Sequence, residues 1–565
     1  MTDQARPLRS RSMTVSDALD GVDPLLARLY SARGVDCLED LDYRLANLLP
    51  ISSLEHVEAA VDLLLAHRDR RILVVGDFDA DGATSTALLL RCLRRFGFAD
   101  CDYLVPNRFD FGYGLSPELV DVAAGRAPSL IVTVDNGISS ESGVAAARKL
   151  GIDVLVTDHH LPPTRLPDAN VIVNPNLLGS DFGSRHLAGV GVAFYVMAAL
   201  GRRLERDGQV GAAKIPATYL DLVALGTVAD VVPLDRNNRI LVQQGINRIR
   251  RNRCVPGIRA LLSVGAREPG FITSADLGFA IGPRLNAAGR LTDMSVGIEC
   301  LVTDDPAVAT ELAGALDRIN RERRDIEATM REQAFAAVDQ IPSRDWPQCV
   351  VLHDASWHAG VVGLIAARVR ERCHRPCIAF AEERPGELKG SARSIPGVHM
   401  RDLLEGVSGR VPGLILKFGG HAMAAGLSLR SENYSRFATE ADRIMRERYP
   451  GADLSGAILT DGSLPGSAFG LEFAERLRDA GPWGSGFPEP VFQGDFSVVD
   501  QRIVGERHLK LMLQPPDAPR PVEAIAFNQA ADGIRGNVRL AYRLDVNRYR
   551  GVSSPQLVVE QITVL

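Results

Sequence analysis

Short apolar runs separated by polar clusters set the rhythm of the chain from Arg71 to about Leu234. Ile72–Val75, Leu130–Val134, Val154–Val156 and Val171–Val173 are rich in β-branched residues and too short for helices. Each run ends in polar residues, and helix-like segments lie between them. The alternation predicts a mostly parallel sheet covered by helices, an α/β fold. In such a sheet the functional crevice opens beyond the carboxyl ends of the strands, where all of these polar clusters fall. Ahead of it, residues 1–70 read as an irregular start, with helical apolar spacing from Leu54 to His67. Beyond it, 235–305 reads as helices and loops, and Ala307 to Gln340 as one long helix whose charge is a solvated face. A second α/β unit follows, with strands at Val350–Leu352 and Cys377–Phe380 around a helix over Val361 to Arg372. The last runs (Phe496–Val499, Leu509–Leu513, Ala524–Phe527, Val538–Leu544, Leu557–Val559) predict a small β-barrel or sandwich. The expected units are an N-terminal extension (1–70), a parallel-sheet domain (71–235), a helical region with a connecting helix (236–345), a second α/β domain (346–450) and a barrel (455–565).

Composition narrows the class. With 565 residues, 46% hydrophobic and 24% charged, the chain has the make-up of an ordinary globular protein of several domains. Its formal net charge of −6 carries no global mark of nucleic-acid binding, so any such contact rests on local patches. Eight cysteines are scattered; only Cys373 and Cys377 are close, and without a second pair they match no usual zinc pattern. The N-terminus lacks an apolar signal core, and no run approaches a membrane span, so a cytoplasmic location is expected.

The polar clusters bring chemistry. After Ile72–Val75 comes Gly-Asp77-Phe-Asp79-Ala-Asp81-Gly82, where Gly82 suits a sharp turn and Thr84 or Ser85 is positioned to cap the helix that follows. The second run delivers Asp135-Asn136-Gly137, the third Asp158-His159-His160, and Leu225 to Ala229 delivers Asp230. Any one of these alone is an ordinary acidic turn, solvated loop or helix cap. Together, uncompensated carboxylates in one crevice repel, and a cation between them resolves the repulsion. Aspartates with one imidazole suit Mn²⁺ or Mg²⁺ better than zinc. A pair of such ions hydrolyses phosphoesters.

These segments resemble the motifs of the DHH phosphoesterase superfamily, and most closely its RecJ-type single-strand exonucleases. Further similar segments are Leu104 to Gly114, Asn174-Pro-Asn176, Leu187 to Phe194, Ala229 to Leu234, Gly282-Pro-Arg284-Leu-Asn286-Ala-Ala-Gly-Arg290 and Phe418-Gly-Gly-His421-Ala-Met-Ala-Ala-Gly426. The resemblance spans nearly the whole chain. It implies a DHH domain, a connecting helix, a DHHA1 domain and a C-terminal OB-fold. By position it assigns Asp79, Asp81, Asp135, His159 and Asp230 to two ions, with Asp135 bridging. Asp77 joins them directly or through water, because many superfamily members carry a histidine further upstream, where this chain has Val75. His160 then orients the site or contacts phosphate. Substrate contacts are expected from Arg108, His160, Arg284, Asn286, Arg290, His358, Ser391, Arg393, Gly420 and His421. Arg284 is the first choice for the phosphate, and Arg284, Ser391 and Arg393 are the expected lining of a pocket for the 5′ end.

The function so implied is an Mn²⁺- or Mg²⁺-dependent exonuclease that degrades 5′-phosphorylated single-stranded DNA 5′→3′ to mononucleotides, in recombination, repair and mismatch-repair excision. Arg502, Arg507, His508 and Lys510 would supply local positive charge on the OB-fold. The resemblance also implies contacts with a single-strand-binding protein and a RecQ-type helicase, no membrane, and a monomer. Two rivals are an oligoribonuclease or cyclic-dinucleotide phosphodiesterase of the same superfamily and a non-catalytic DNA-binding scaffold. The long helix and the barrel point away from the first, and the retained acids and His159 from the second.

Overall fold

The computed structural model describes residues 5–12, 17–107, 111, 113–342, 346–529 and 533–565. Its first strand, β1 (Leu8–Ser10), pairs in parallel with a strand near residue 458. The parallel sheet follows, from β2 (Arg71–Val75), β3 (Asp100–Leu104), β4 (Leu130–Val134), β5 (Asp153–Thr157) and β6 (Val171–Val173), in the order β3-β2-β4-β5-β6 with every pairing parallel. Alternate residues of β2 and β4 enter two different cores: Ile72, Val74, Leu130 and Val132 pack on one face, and Leu73, Val75 and Ile131 on the other. Burial on both faces is why these runs read as continuously apolar.

The second α/β unit is a mixed sheet in the order β10-β11-β9-β8-β7. It comprises β7 (Val350–His353), β8 (Cys377–Arg384), β9 (Glu387–Arg393), β10 (Lys417–Gly420) and β11 (Ala424–Arg430). Only β7 and β8 run parallel. β12 (Ile458–Thr460), the partner of β1, leads to β13 (Phe492–Val504), β14 (His508–Gln514), β15 (Val522–Ala526), β16 (Asn537–Tyr549) and β17 (Val552–Val564). These last five close a barrel in the order β13-β14-β15-β17-β16, which settles the barrel-or-sandwich alternative.

One apolar core runs without a break from the parallel-sheet domain through the helical region into the barrel. The second α/β unit has its own clusters and is carried by the helix Pro306–Asp339. Glu327 of that helix is buried and binds Arg323 on its own helix and Arg368 on Val362–Cys373, 3.0 Å away, which couples the connector to the second unit. The N-terminal segment is tied down as well. Arg33 makes a buried two-pronged pair with Asp461, both contacts at 3.0 Å, and the Tyr30 hydroxyl donates to the Ala480 carbonyl. Among the described residues, no helix is long and apolar enough to cross a membrane.

Candidate metal centre and substrate cleft

The acidic turn begins where β2 ends. Asp79, in extended conformation, caps the helix Ala80–Phe96: its Oδ1 accepts the backbone N–H of Asp81 at 2.9 Å and of Gly82 at 3.0 Å. The helix therefore starts five residues earlier than a cap at Thr84 would place it. Thr84 and Ser85 are buried inside it, and the Thr84 hydroxyl donates to the Asp81 carbonyl. Gly82 serves close approach rather than a turn, since a Cβ there would sit 2.5 Å from the Asp77 carbonyl oxygen. The turn is braced from outside by the helix Gly282–Leu291. Asn286 Oδ1 accepts the Ala80 N–H at 2.8 Å, and a Cβ on Gly289 would fall 1.7 Å from the Phe78 carbonyl oxygen.

The other acids reach the same place from separate elements. Asp135 follows β4 at φ 61, a conformation non-glycine residues seldom adopt, and the Asn136 amide beside it donates to the carbonyls of Val75 and Val134. Asp81 sends both oxygens to the start of the helix Gly189–Arg206, accepting from Gly189 N at 2.7 Å and Val190 N at 2.9 Å. Asp230 stands at the C-terminus of the helix Leu220–Ala229. Among the described residues three groups of potential ligand atoms result, each with its atoms within 4.8 Å of one another: Asp77, Asp79 and Asp135; Asp81, His159 and Asp230; Asp135, His159 and His160. His159 Nε2 lies 3.1 Å from Asp135 Oδ1 and 3.5 Å from Asp230 Oδ2. None of these three buried atoms has a hydrogen bond aligned to it among the described residues.

This arrangement is electrostatically unfavourable without a cation. Burial, then the charge of Asp230, pushes the Asp81 carboxyl up to about 7. Burial, then Asp79, does the same to Asp230. Asp135 is driven well above the carboxylate range by burial and by Asp81 and Asp79. Burial and the neighbouring His160 hold His159 below its ordinary value, which leaves a neutral imidazole with a lone pair to offer. Hard oxygens, one neutral imidazole and unsatisfied buried acceptors fit Mn²⁺ or Mg²⁺.

His160 is set differently. Burial would lower it, but its Nδ1 hydrogen bond to Asp158 Oδ1 at 2.8 Å, with the Asp158 charge, lifts it to about 9. Asp158 is fully buried; it also accepts the N–H groups of His159, His160 and Ile138. Burial would raise its carboxyl, yet the bond to His160 and the charge of that imidazole hold it below its usual value. The Asn174 and Asn176 amides fix the carbonyls of His160 and His159. Across the cleft, the His421 ring of the second unit stacks on His160, with centroids 5.8 Å apart and planes at 23°. Gly420 precedes it at the end of β10.

The remaining expected substrate residues fall into two groups. Arg393 and Ser391, on β9, are joined by a 3.0 Å hydrogen bond and press against Gly363 in the first turn of Val362–Cys373, where a Cβ would sit 2.9 Å from both side chains. Arg290 donates to the Gly360 carbonyl, and His358 Nδ1 accepts the Gly360 N–H, so both border the same loop. Asn286 and Arg284 lie on the bracing helix. Asn286 holds the acidic turn through Ala80. Arg284 pairs with Asp317 at 2.8 Å and donates to the carbonyls of Ala280 and Val264. That pair orients the guanidinium, and a phosphate contact from Arg284 would be made alongside it. Arg108 lies outside the described residues.

The family model described as DHH family, N-terminal domain matches residues 71–227, the DHHA1 domain model matches 347–447, and the RecJ OB domain model matches 460–561. A protein of Escherichia coli (strain K12) named single-stranded-DNA-specific exonuclease RecJ is 51% identical over 95% of this chain and 96% of its own length. The chain belongs to the RecJ family. A Salmonella typhimurium relative of the same name is 50% identical over 99% of both chains. Among solved structures, RecJ from Thermus thermophilus in complex with Mn²⁺ superposes with a TM-score of 0.81 at 32% identity, covering 100% of this chain and 80% of that one. The same protein in complex with Mg²⁺ gives 0.76 at 30% identity, covering 98% of this chain and 78% of that one.

RecJ-family motifs also hold residues that sequence reasoning passed over. Tyr113 lies in one of the quoted segments; its hydroxyl donates to the Asp135 carbonyl at 3.2 Å, and its ring meets His160 edge-on at 5.6 Å. Asp158, Asn174 and Asn176 stood in quoted motifs without a task. Adjacency to a histidine pair was the only signal for Asp158, and nothing local marked the asparagines.

Proposed function

We propose that the chain is a divalent-metal-dependent exonuclease that degrades single-stranded DNA 5′→3′ to mononucleotides. The observation that carries this reading is the sharing of Asp135 and His159 among three overlapping groups of ligand atoms, with buried acceptors left unsatisfied. Asp79, Asp81, Asp135, His159 and Asp230 are the proposed ligands of two Mn²⁺ or Mg²⁺ ions. Asp135 would hold both, and Asp77 would complete the set directly or through water. Such a pair supplies an activated water and a counter-charge for the leaving oxygen.

The chain's own residues do the rest. Asp158 keeps a proton on His160 Nδ1 and so maintains a cation beside the acids, where a phosphate would approach. Arg393, Ser391 and the first turn of Val362–Cys373 present a guanidinium, a hydroxyl and backbone N–H groups at one spot, a fit for a terminal 5′ phosphate. Arg290, His358, Gly420 and His421 border the path between that spot and the acids. A duplex would have to part the His160–His421 contact, which favours an unpaired strand. The reading extends to cytoplasmic action as a monomer in recombination, repair and mismatch excision, with a single-strand-binding protein and a RecQ-type helicase as partners.

The test is a digest of a long 5′-phosphorylated single strand, its duplex and a dinucleotide, each with and without Mn²⁺. The single strand should be consumed to mononucleotides only with metal. Activity confined to the dinucleotide would favour a small-substrate phosphodiesterase, and no activity with any metal a binding scaffold.

A further inference from the structure

The helical region and the barrel meet along a seam that the chemistry above does not use. Arg548, near the end of β16, holds its guanidinium over Phe271, with Cζ 3.1 Å from the ring centroid. Its side chain makes no hydrogen bond or ion pair among the described residues, and its Nε is enclosed without a partner. Two other arginines of β16 differ: Arg539 is paired with Asp495, and Arg543 with Glu489 and Glu560. Next along β16, Tyr549 is 64% exposed, and Arg550 lies over its ring at 5.2 Å. Phe271 is itself 45% exposed, and Phe279, eight positions on, is 84% exposed.

Phe279 sits in a π-helical turn, Leu277–Ile281, an irregularity that often marks functional positions. Its flanking glycines seat that turn on the end of the helix leading to Asp230. A Cβ on Gly278 would lie 3.2 Å from Val228 Cγ1, and one on Gly282 would lie 3.2 Å from Ala229 Cβ. A large apolar ring is thus held in solvent on a turn packed against the helix that ends at Asp230. Phe271 precedes the short helical stretch 274–281, Phe279 lies within it, and Arg548 joins the first of them to the barrel.

We infer that Phe279, with the Arg548–Phe271 pair behind it, is a stacking platform for bases of the substrate strand on the stretch between the metal centre and the barrel. The inference rests on the single-strand exonuclease reading. Aromatic faces accept any base, and an unpaired guanidinium on a ring offers both a flat surface and a phosphate contact, which suits sequence-independent binding. With no carboxylate paired to it among the described residues, Arg548 keeps its charge available to a polyanion.

The experiment compares wild type, Phe279→Ala, and Arg548→Gln on a long 5′-phosphorylated single strand and on the same strand carrying abasic sites over the stretch beyond the first nucleotides. Phe279 is exposed, so its loss leaves the fold intact; melting curves for Arg548→Gln check the seam. On the normal strand, Phe279→Ala should raise KM about tenfold, with kcat within about twofold. On the abasic strand the ratio of variant to wild-type KM should fall to near one, because no base remains to stack; a purely structural role would leave that ratio unchanged. Equal KM values for Phe279→Ala and wild type on the normal strand would overturn the inference. Failure of wild type itself to degrade the strand would instead overturn the reading on which it rests.

Discussion

At the scale of single residues, the acids are held in a state that only a cation relieves. In the metal-free protein, Asp81 and Asp230 titrate at about 7, against about 3.9 for an unfolded aspartate. Between those values the folded state keeps protons that the unfolded state has lost. Stability of the metal-free protein therefore falls as pH rises through that window and is lowest above it. Mn²⁺ should accordingly raise the melting temperature more at about pH 8 than at about pH 5, as calorimetry can measure; equal shifts would mean the carboxylates are not where metal binds. Asp135→Ala should lower kcat by about 10³-fold or more in single-turnover digests while leaving affinity for the strand, followed by fluorescence anisotropy, within a few-fold. Near-normal rates with Mn²⁺ would remove Asp135 from the bridging position. The convergence of Asp77, Asp79, Asp81 and Asp135 was legible in the sequence because each follows an apolar run, and parallel strands deliver such positions to one edge; Asp230 instead arrives from the end of a helix. The tasks of Asp158 and Tyr113 were not legible, because they depend on rings and carbonyls brought together from separate loops.

At the scale of elements, what the sequence revealed tracks burial. β2, β4, β5 and β6 stood out because their runs are apolar. β3 did not, because Asp100–Leu104 is an edge strand, half-buried throughout, with two aspartates in five residues. β9 and β11 were hidden by Gly390 and Gly426, which weaken any strand signal; a Cβ on Gly390 would sit 2.4 Å from the Phe380 ring. The barrel strands extend well past their apolar cores, since β16 and β17 pair over twelve registered positions, many with exposed side chains. The bracing helix is the element whose role was least visible: a segment expected to bind phosphate also props the acidic turn. Gly289→Ala would force a Cβ against the Phe78 carbonyl and should cost about 1–3 kcal/mol. It should also weaken Mn²⁺ binding in calorimetric titration, since the displaced turn carries Asp77 and Asp79. A stable variant with unchanged metal affinity would separate the brace from the site.

At the scale of the whole molecule, the barrel and the parallel-sheet domain share one core, so they move as a body. The second α/β unit hangs on the helix Pro306–Asp339 and closes the cleft through His421. Glu327 is the point where that connection is polar, holding Arg323 and Arg368 together. Glu327→Gln leaves two guanidinium groups sharing a neutral amide. It should destabilise the protein by about 2 kcal/mol, less than a fully buried pair would, because Arg368 is half exposed. It should also raise KM for single strands more than it changes kcat, as the cleft loses its set position; unchanged KM would show that the connector does not position the second unit.

The central claim is that acids from separate elements hold a pair of divalent ions, and anomalous diffraction from a crystal grown with Mn²⁺ tests it most directly. The account predicts two peaks about 3.5–4 Å apart, with Asp135 touching both and His159 and Asp230 touching one. Peaks elsewhere, or none within reach of Asp135, would contradict it.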